Sequence, residues 1–224
     1  MIKNPCPMCQ IYLITPPKFE PVAFRETLAS ALDADNVGAV QLRLKQVSDD
    51  EIKRAVELLL PITTNYDVPL IMNDRPDLAA ITGCDGVHIG QHDCDYSTAR
   101  ATLGKDRVVG VTCHNSKHLA MVAGERGADY VAFGAFFDTS TKDTKFIAEP
   151  KIISWWTETM LIPVVAIGGI TQHNCPPIVQ AGSDFIAVIS AVWDHPLGAA
   201  KAVGEFNKVI NAHSRSTIAS IEPY

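Results

Sequence analysis

Asp129-Tyr130-Val131-Ala132-Phe133-Gly134-Ala135-Phe136-Phe137-Asp138-Thr139-Ser140-Thr141-Lys142 carries an apolar run straight into a loop of hydroxyls and one ammonium. The run Tyr130–Phe133 is continuous rather than alternating, which is how a parallel strand covered on both faces reads. At its carboxyl end Thr139, Ser140, Thr141 and Lys142 suit phosphate oxygens, because each is a donor and one brings positive charge. A strand apolar along its length and polar at its carboxyl end is the repeating unit of a barrel enzyme.

The same form recurs outward in both directions. Strands are expected at Gln10–Thr15, Gly38–Arg43, Val68–Asn73, Gly86–Ile89, Arg107–Val111, Tyr130–Phe133, Pro163–Ile167 and Phe185–Val188. Connections long enough for a helix separate them, so the fold class is α/β, a single-domain (β/α)8 TIM barrel. The domain takes in residues 1–224, with a core over about 10–212 and a flexible tail over 213–224. An open doubly wound sheet is the competing architecture; no strand reads as the polar edge it would need. Helix signals fit the barrel. Ser48-Asp49-Asp50-Glu51 has capping-box spacing ahead of Ile52, Ala55, Val56 and Leu59 on one face. Ser97 and Gly104 bracket a short helix, Asn115 or Ser116 opens another that Gly127 ends, and Pro177 and Pro196 sit near helix starts. Leu197–Ala212 reads as the last helix.

The 224 residues are 47% hydrophobic, enough for a sizeable core. A net charge of −6 excludes a basic nucleic-acid face. No apolar run is long enough to span a bilayer and Met1 to Gln10 lacks the apolar core of a secretory signal, so a cytoplasmic protein is expected. Assembly into a homo-oligomer is compatible with these properties. Cys6, Cys9, Cys84, Cys94, Cys113 and Cys175 are scattered, as free thiols are in a protein of this class. Cys6-Pro7-Met8-Cys9 has no second CxxC to complete a zinc site, and precedes the first strand rather than following one.

The strand ends carry the chemistry. After strand 2, Gln41, Arg43 and Lys45 alternate with Leu42 and Leu44, so an amide and two cations face the site together. Strand 3 ends in Asn73-Asp74 and strand 4 leads to Asp93. Two carboxylates from neighbouring strands, facing a phosphate loop, suit Mg²⁺, which takes oxygen ligands and keeps waters; His88, His92 and Cys94 form the competing zinc set. Thr112, after strand 5, is a donor into the site. His114 either moves a proton or caps the next helix. Cys113 invites a nucleophile reading that alternation opposes, because adjacent side chains in an extended segment point apart. Gly168-Gly169 after strand 7 and the amides after strand 8 form a phosphate cradle, glycine letting the anion reach backbone N–H groups. Two separate anion sites follow, one Mg²⁺-assisted and one built from backbone.

In this order the motifs resemble the thiamine phosphate synthase (thiamine-phosphate pyrophosphorylase) family over roughly residues 11 to 205. They are Tyr12-Leu13-Ile14-Thr15, Gln41-Leu42-Arg43-Leu44-Lys45, Asn73-Asp74-Arg75-Pro76-Asp77-Leu78-Ala79 and Asp85-Gly86-Val87-His88-Ile89-Gly90-Gln91-His92-Asp93. Gly110-Val111-Thr112, Thr139-Ser140-Thr141-Lys142 and Ala166-Ile167-Gly168-Gly169-Ile170 continue the series. The resemblance implies a transferase joining 4-amino-2-methyl-5-hydroxymethylpyrimidine diphosphate to thiazole phosphate, giving thiamine phosphate and pyrophosphate. It assigns Gln41, Arg43, Lys45, Asn73 and Lys142 to the pyrimidine diphosphate, and Asp74 and Asp93 to Mg²⁺. Thr112 takes the family's small-hydroxyl position; Thr139, Thr141, Gly169, Ile189 and Ser190 take the thiazole phosphate side. Catalysis would fall to Arg43, Lys45, Lys142 and Thr112.

Three positions depart from the family pattern. Leu44 stands where an acid is common and should face outward. Asp138 would repel a phosphate unless it points away. Phe146 to Met160 lacks the glycine expected after the lysine loop. Two other functions share the motifs: a thiazole tautomerase using His114, and a catalytically silent sensor of thiamine precursors.

Overall fold

The computed structural model describes residues 8–139 and 146–214. From the amino terminus come β1 (Gln10–Ile14), α1 (Pro21–Leu32), β2 (Val37–Leu42), α2 (Asp49–Asn65), β3 (Leu70–Asn73), α3 (Pro76–Thr82), β4 (Gly86–Ile89) and α4 (Tyr96–Leu103). Then follow β5 (Val108–His114), α5 (Lys117–Glu125), β6 (Tyr130–Gly134), α6 (Pro150–Thr159), β7 (Val164–Ile167), α7 (Pro176–Gln180), β8 (Phe185–Val188), α8 (Ser190–Trp193) and α9 (Ala199–His213). All neighbouring strands are parallel, and β8 pairs back onto β1. That closure rules out the open sheet and leaves no edge.

Local chemistry sets most of the element ends. Ser48 and Glu51 form the full capping box of α2, which buries Ile52, Ala55, Val56, Leu59 and Thr63. Ser116 caps α5. The cap of α4 is Asp95 rather than Ser97: its carboxylate accepts the N–H groups of Ser97 and Thr98, and a carboxylate also favours the positive end of the helix. Strand β3 starts at Leu70 instead of Val68 because Pro69 has no N–H to give a ladder. Arg43 drops out of β2 because its N–H donates to the Thr15 hydroxyl, 2.9 Å away. Strand β5 runs on to His114 past a register shift after Thr112, and α9 starts at Ala199 because Gly198 before it has φ +88°, outside the helical region. The tail beyond Ser214 lies outside the described residues.

Two apolar layers result. Inside the barrel, Tyr12, Ile14, Ala39, Ile71, Val108, Tyr130, Ala132, Val165, Phe185 and Ala187 pack together. Between strands and helices lies the larger layer, with Leu28, Phe133, Trp156 and Phe206 fully buried. Leu44 packs against this outer layer, as alternation requires. Gly110 makes room for the inner one, since a Cβ there would stand 1.9 Å from the Tyr130 ring.

The amino-terminal end of the barrel is tied by a repeated device. Asp85, Asp129 and Asp184 each stand just before an even-numbered strand. Their carboxylates accept the N–H groups of Leu70 (2.8 Å), Val109 (2.7 Å) and Val164 (2.8 Å), near the starts of the preceding odd strands. Asn36 takes the fourth such position, donating from Nδ2 to the Cys9 carbonyl. Each bond satisfies a main-chain group that the ladder leaves open.

Candidate functional site at the carboxyl ends of the strands

The carboxyl end carries a different population. Gln41 is buried, Arg43 half-buried and Lys45 exposed, so the motif climbs from the interior to the rim. Burial lowers the Arg43 pKa, and the facing Asp74 carboxylate opposes that shift. Asp74 sits at φ +63°, a conformation that costs a non-glycine residue on the order of 1–3 kcal/mol and is held by its N–H donating to the His88 carbonyl at 2.8 Å. Its carboxyl is pushed up to about 6 by burial first, then by the charge of Asp93 and a hydrogen bond with it; Asn73 and Lys45 pull the other way. Asp93 is anchored by the Gly90 N–H at 3.0 Å. Arg43, Lys45, Asn73, Asp74 and Asp93 therefore meet, as the alternation and the strand ends predict.

Two carboxylates forced together, one of them strained and half-buried, form an oxygen donor pair that fits a hard divalent cation. Among the described residues no group of three or more His, Cys, Asp or Glu is placed to hold a metal, so waters and substrate oxygens would complete such a shell. The zinc alternative does not assemble. His88 lies inside the barrel with Nδ1 on the Tyr130 hydroxyl (2.8 Å) and Nε2 on the Thr112 hydroxyl (2.7 Å).

That contact belongs to a network the strand-end reading overlooks. Gln41 Nε2 donates to the Tyr12 hydroxyl at 3.2 Å, and Tyr12 and Tyr130 share a bond of 2.9 Å. A signal was present: Tyr12, Gln41, His88, Thr112 and Tyr130 all lie on the inward alternation of their strands. Cys113 takes the opposite face, fully buried in the outer layer, where burial pushes its thiol up to about 12. It is no nucleophile there. The His114 ring lies against Phe146, centroids 4.9 Å apart, and Ser116 rather than His114 caps α5.

On the far side, Thr139 is half-buried after β6; Ser140, Thr141 and Lys142 lie outside the described residues. The segment before them is clamped: Phe136 and Phe137 N–H groups donate to the carbonyls of Ile167 (3.2 Å) and Gly168 (3.0 Å). Gly169, at φ +62°, would place a Cβ 2.3 Å from the Asp138 carbonyl oxygen. The glycine pair thus lets the β6 loop lie on the β7 loop, a packing reason beyond the anion cradle. The Asp138 side chain is exposed. Ile189 and Ser190 follow β8, with Ser190 opening α8. The 146–160 region closes through Pro150 at the start of α6 and Trp156, whose Nε1 donates to the Ile162 carbonyl at 2.7 Å.

A family model described as thiamine monophosphate synthase matches residues 11–192. The chain belongs to the thiamine monophosphate synthase family. The thiamine-phosphate synthase of Rhodospirillum centenum is 61% identical over 202 residues, covering 90% of this chain and 98% of that protein. That of Hyphomonas neptunium is 45% identical over 214 residues, covering 93% and 97%. Among solved structures, the thiamine phosphate pyrophosphorylase of Pyrococcus furiosus superposes with a TM-score of 0.79 at 31% identity, covering 91% of this chain and 96% of that one. The Arg43–Asp74–Asp93 cluster and the inward network lie in the matched region. No helix among the described residues is long and apolar enough to cross a membrane.

Proposed function

We propose that this chain is a cytoplasmic transferase that joins hydroxymethylpyrimidine diphosphate to thiazole phosphate, forming thiamine phosphate and releasing pyrophosphate. One observation carries the reading: Arg43, Lys45, Asp74 and Asp93 converge at the carboxyl end of a barrel 61% identical to a thiamine-phosphate synthase. Gln41 and Asn73 orient the pyrimidine. Arg43, Lys45 and Lys142 bind its diphosphate and neutralise the charge that grows as the carbon–oxygen bond breaks, leaving the electron pair on the departing pyrophosphate. Asp74 and Asp93 would hold Mg²⁺, which when bound supplies further neutralisation of that charge. The aminopyrimidine can carry the resulting benzylic-type cation, so the step is dissociative and the thiazole nitrogen closes the new bond. No side chain acts as nucleophile, in keeping with the buried Cys113 thiol. Thr112 donates into the pyrimidine side, and Thr139, Thr141, Gly169, Ile189 and Ser190 hold the thiazole phosphate.

A thiazole tautomerase would have no use for the diphosphate-binding set, and a silent sensor would bind without turnover. The test incubates the protein with both substrates, with Mg²⁺ or with EDTA, following thiamine phosphate by thiochrome fluorescence and pyrophosphate separately. Mg²⁺-dependent, equimolar appearance of both products is expected. Binding of thiazole phosphate with neither product formed would overturn the synthase reading.

A further inference from the structure

The interior network has a direction. Gln41 Nε2 can only donate, so the Tyr12 oxygen accepts from it at 3.2 Å. The Tyr12 proton is then spent on Tyr130, 2.9 Å away, and the Tyr130 proton on His88 Nδ1 at 2.8 Å. His88 must carry its own proton on Nε2, which donates to the Thr112 oxygen at 2.7 Å. The reverse order would make the Tyr12 oxygen accept from Tyr130 as well as from Gln41 and leave the buried Tyr12 O–H with no acceptor in this array. Tyr12, Gln41 and Tyr130 are at most 3% exposed, so a mispaired group there would be costly. Burial raises the pKa of both tyrosines, which keeps their protons in place. The Tyr130 ring stacks on His88 with planes 17° apart and fixes its orientation. What remains at the end of the chain is the Thr112 hydroxyl proton.

We propose that Tyr12, Tyr130 and His88 are positioning residues that join Gln41 to Thr112, hold His88 as its Nε2–H tautomer, and reserve the Thr112 proton for a hydrogen-bond acceptor on the diphosphate-bearing substrate. This rests on the reading of Gln41 and Thr112 as substrate-binding. The network spans β1, β2, β4, β5 and β6, so one buried array sets both polar contacts on that substrate at once. Breaking it at Tyr130 frees the imidazole to take either tautomer and lets the Thr112 hydroxyl turn its proton back onto Nε2.

Two measurements test it. Ring ¹⁵N shifts of histidine-labelled protein, with His88 assigned by comparison with His88→Asn, report the tautomer without any turnover. A single Nε2–H form is expected in the wild type and a mixture in Tyr130→Phe; an Nδ1–H form in the wild type overturns the proposal. A double-mutant cycle supplies the catalytic readout. Tyr130→Phe and Thr112→Ala should each lower kcat by about tenfold, the scale of one hydrogen bond, with KM for thiazole phosphate unchanged. The double variant should be no slower than Thr112→Ala alone, whereas a purely structural role for Tyr130 gives additive losses and overturns the coupling. If Tyr130→Phe does not fold, Tyr12→Phe breaks the same line one bond further back and carries the same expectations. A Thr112→Ala variant as fast as wild type, with the tautomer as expected, overturns the purpose assigned to the network through failure of the site reading alone.

Discussion

The two ends of the barrel use the same residue for opposite ends. At the amino-terminal end, Asp85, Asp129 and Asp184 each accept a main-chain N–H at 2.7 to 2.8 Å, and Asp129 also pairs with Arg100. At the carboxyl-terminal end, Asp74 and Asp93 face one another, and the Asp74 pKa is raised by burial and by its neighbour. A carboxyl oxygen that accepts a main-chain N–H closes an open end of the ladder. A half-buried carboxylate beside a second one is held charged at a cost, which a bound cation would offset. The difference teaches that partner, rather than residue type, separates a structural acid from a functional one.

The largest effect should come from the functional pair. Asp93→Ala is expected to lower kcat by about 10²–10³, as loss of one preorganised electrostatic group does, while the melting temperature holds or rises because the repulsion with Asp74 is gone. Steady-state kinetics beside thermal unfolding check both halves. Wild-type-like turnover would remove Asp93 from the site, and a large fall in melting temperature would move it into the structural class.

Much of this contrast was legible in the sequence, for a physical reason. Period-two alternation places Gln41, Arg43 and Lys45 on one side of β2, and near-continuous apolar runs mark parallel strands, so the barrel and the strand-end cluster follow from local pattern. What does not follow is anything that needs distance across the barrel. The Tyr12–Tyr130 bond joins residues 118 positions apart, and His88 reads as a metal ligand until its two partners are seen. The amino-terminal ties are not legible either, although an Asn or Asp precedes each even strand, because such a residue there reads as a turn. Gly169 reads from sequence as part of an anion cradle, and its close approach to the Asp138 carbonyl, visible only in the fold, also demands a glycine.

A middle-sized effect belongs to the structural end. Asp129→Ala removes the acceptor of the Val109 N–H and the carboxylate paired with Arg100, leaving a main-chain donor without that acceptor and a half-buried guanidinium held only by the Tyr96 hydroxyl and the Gly104 and Arg107 carbonyls. A loss of about 1–3 kcal/mol in unfolding free energy is expected, read by denaturant titration, with kcat unchanged at temperatures well below the transition. A slowed but fully stable Asp129→Ala would break the division between the two ends.

The smallest effect is the sharpest test of the partner rule. The Asp184 pKa is raised because burial outweighs the hydrogen bond from the Val164 N–H. A carboxyl raised in the folded state stabilises most below its unfolded pKa, and that contribution is lost as pH rises through the folded value. At neutral pH the charged form is therefore held at a cost that a neutral acceptor would avoid. Asp184→Asn keeps an oxygen for Val164, so the variant should be as stable as wild type or more so by less than about 1 kcal/mol at neutral pH. Its advantage should shrink toward acid pH as Asp184 protonates. Denaturant unfolding across that range decides it. An Asp184→Asn variant clearly weaker at neutral pH would mean that the negative charge itself, and not just an acceptor, holds the start of β7.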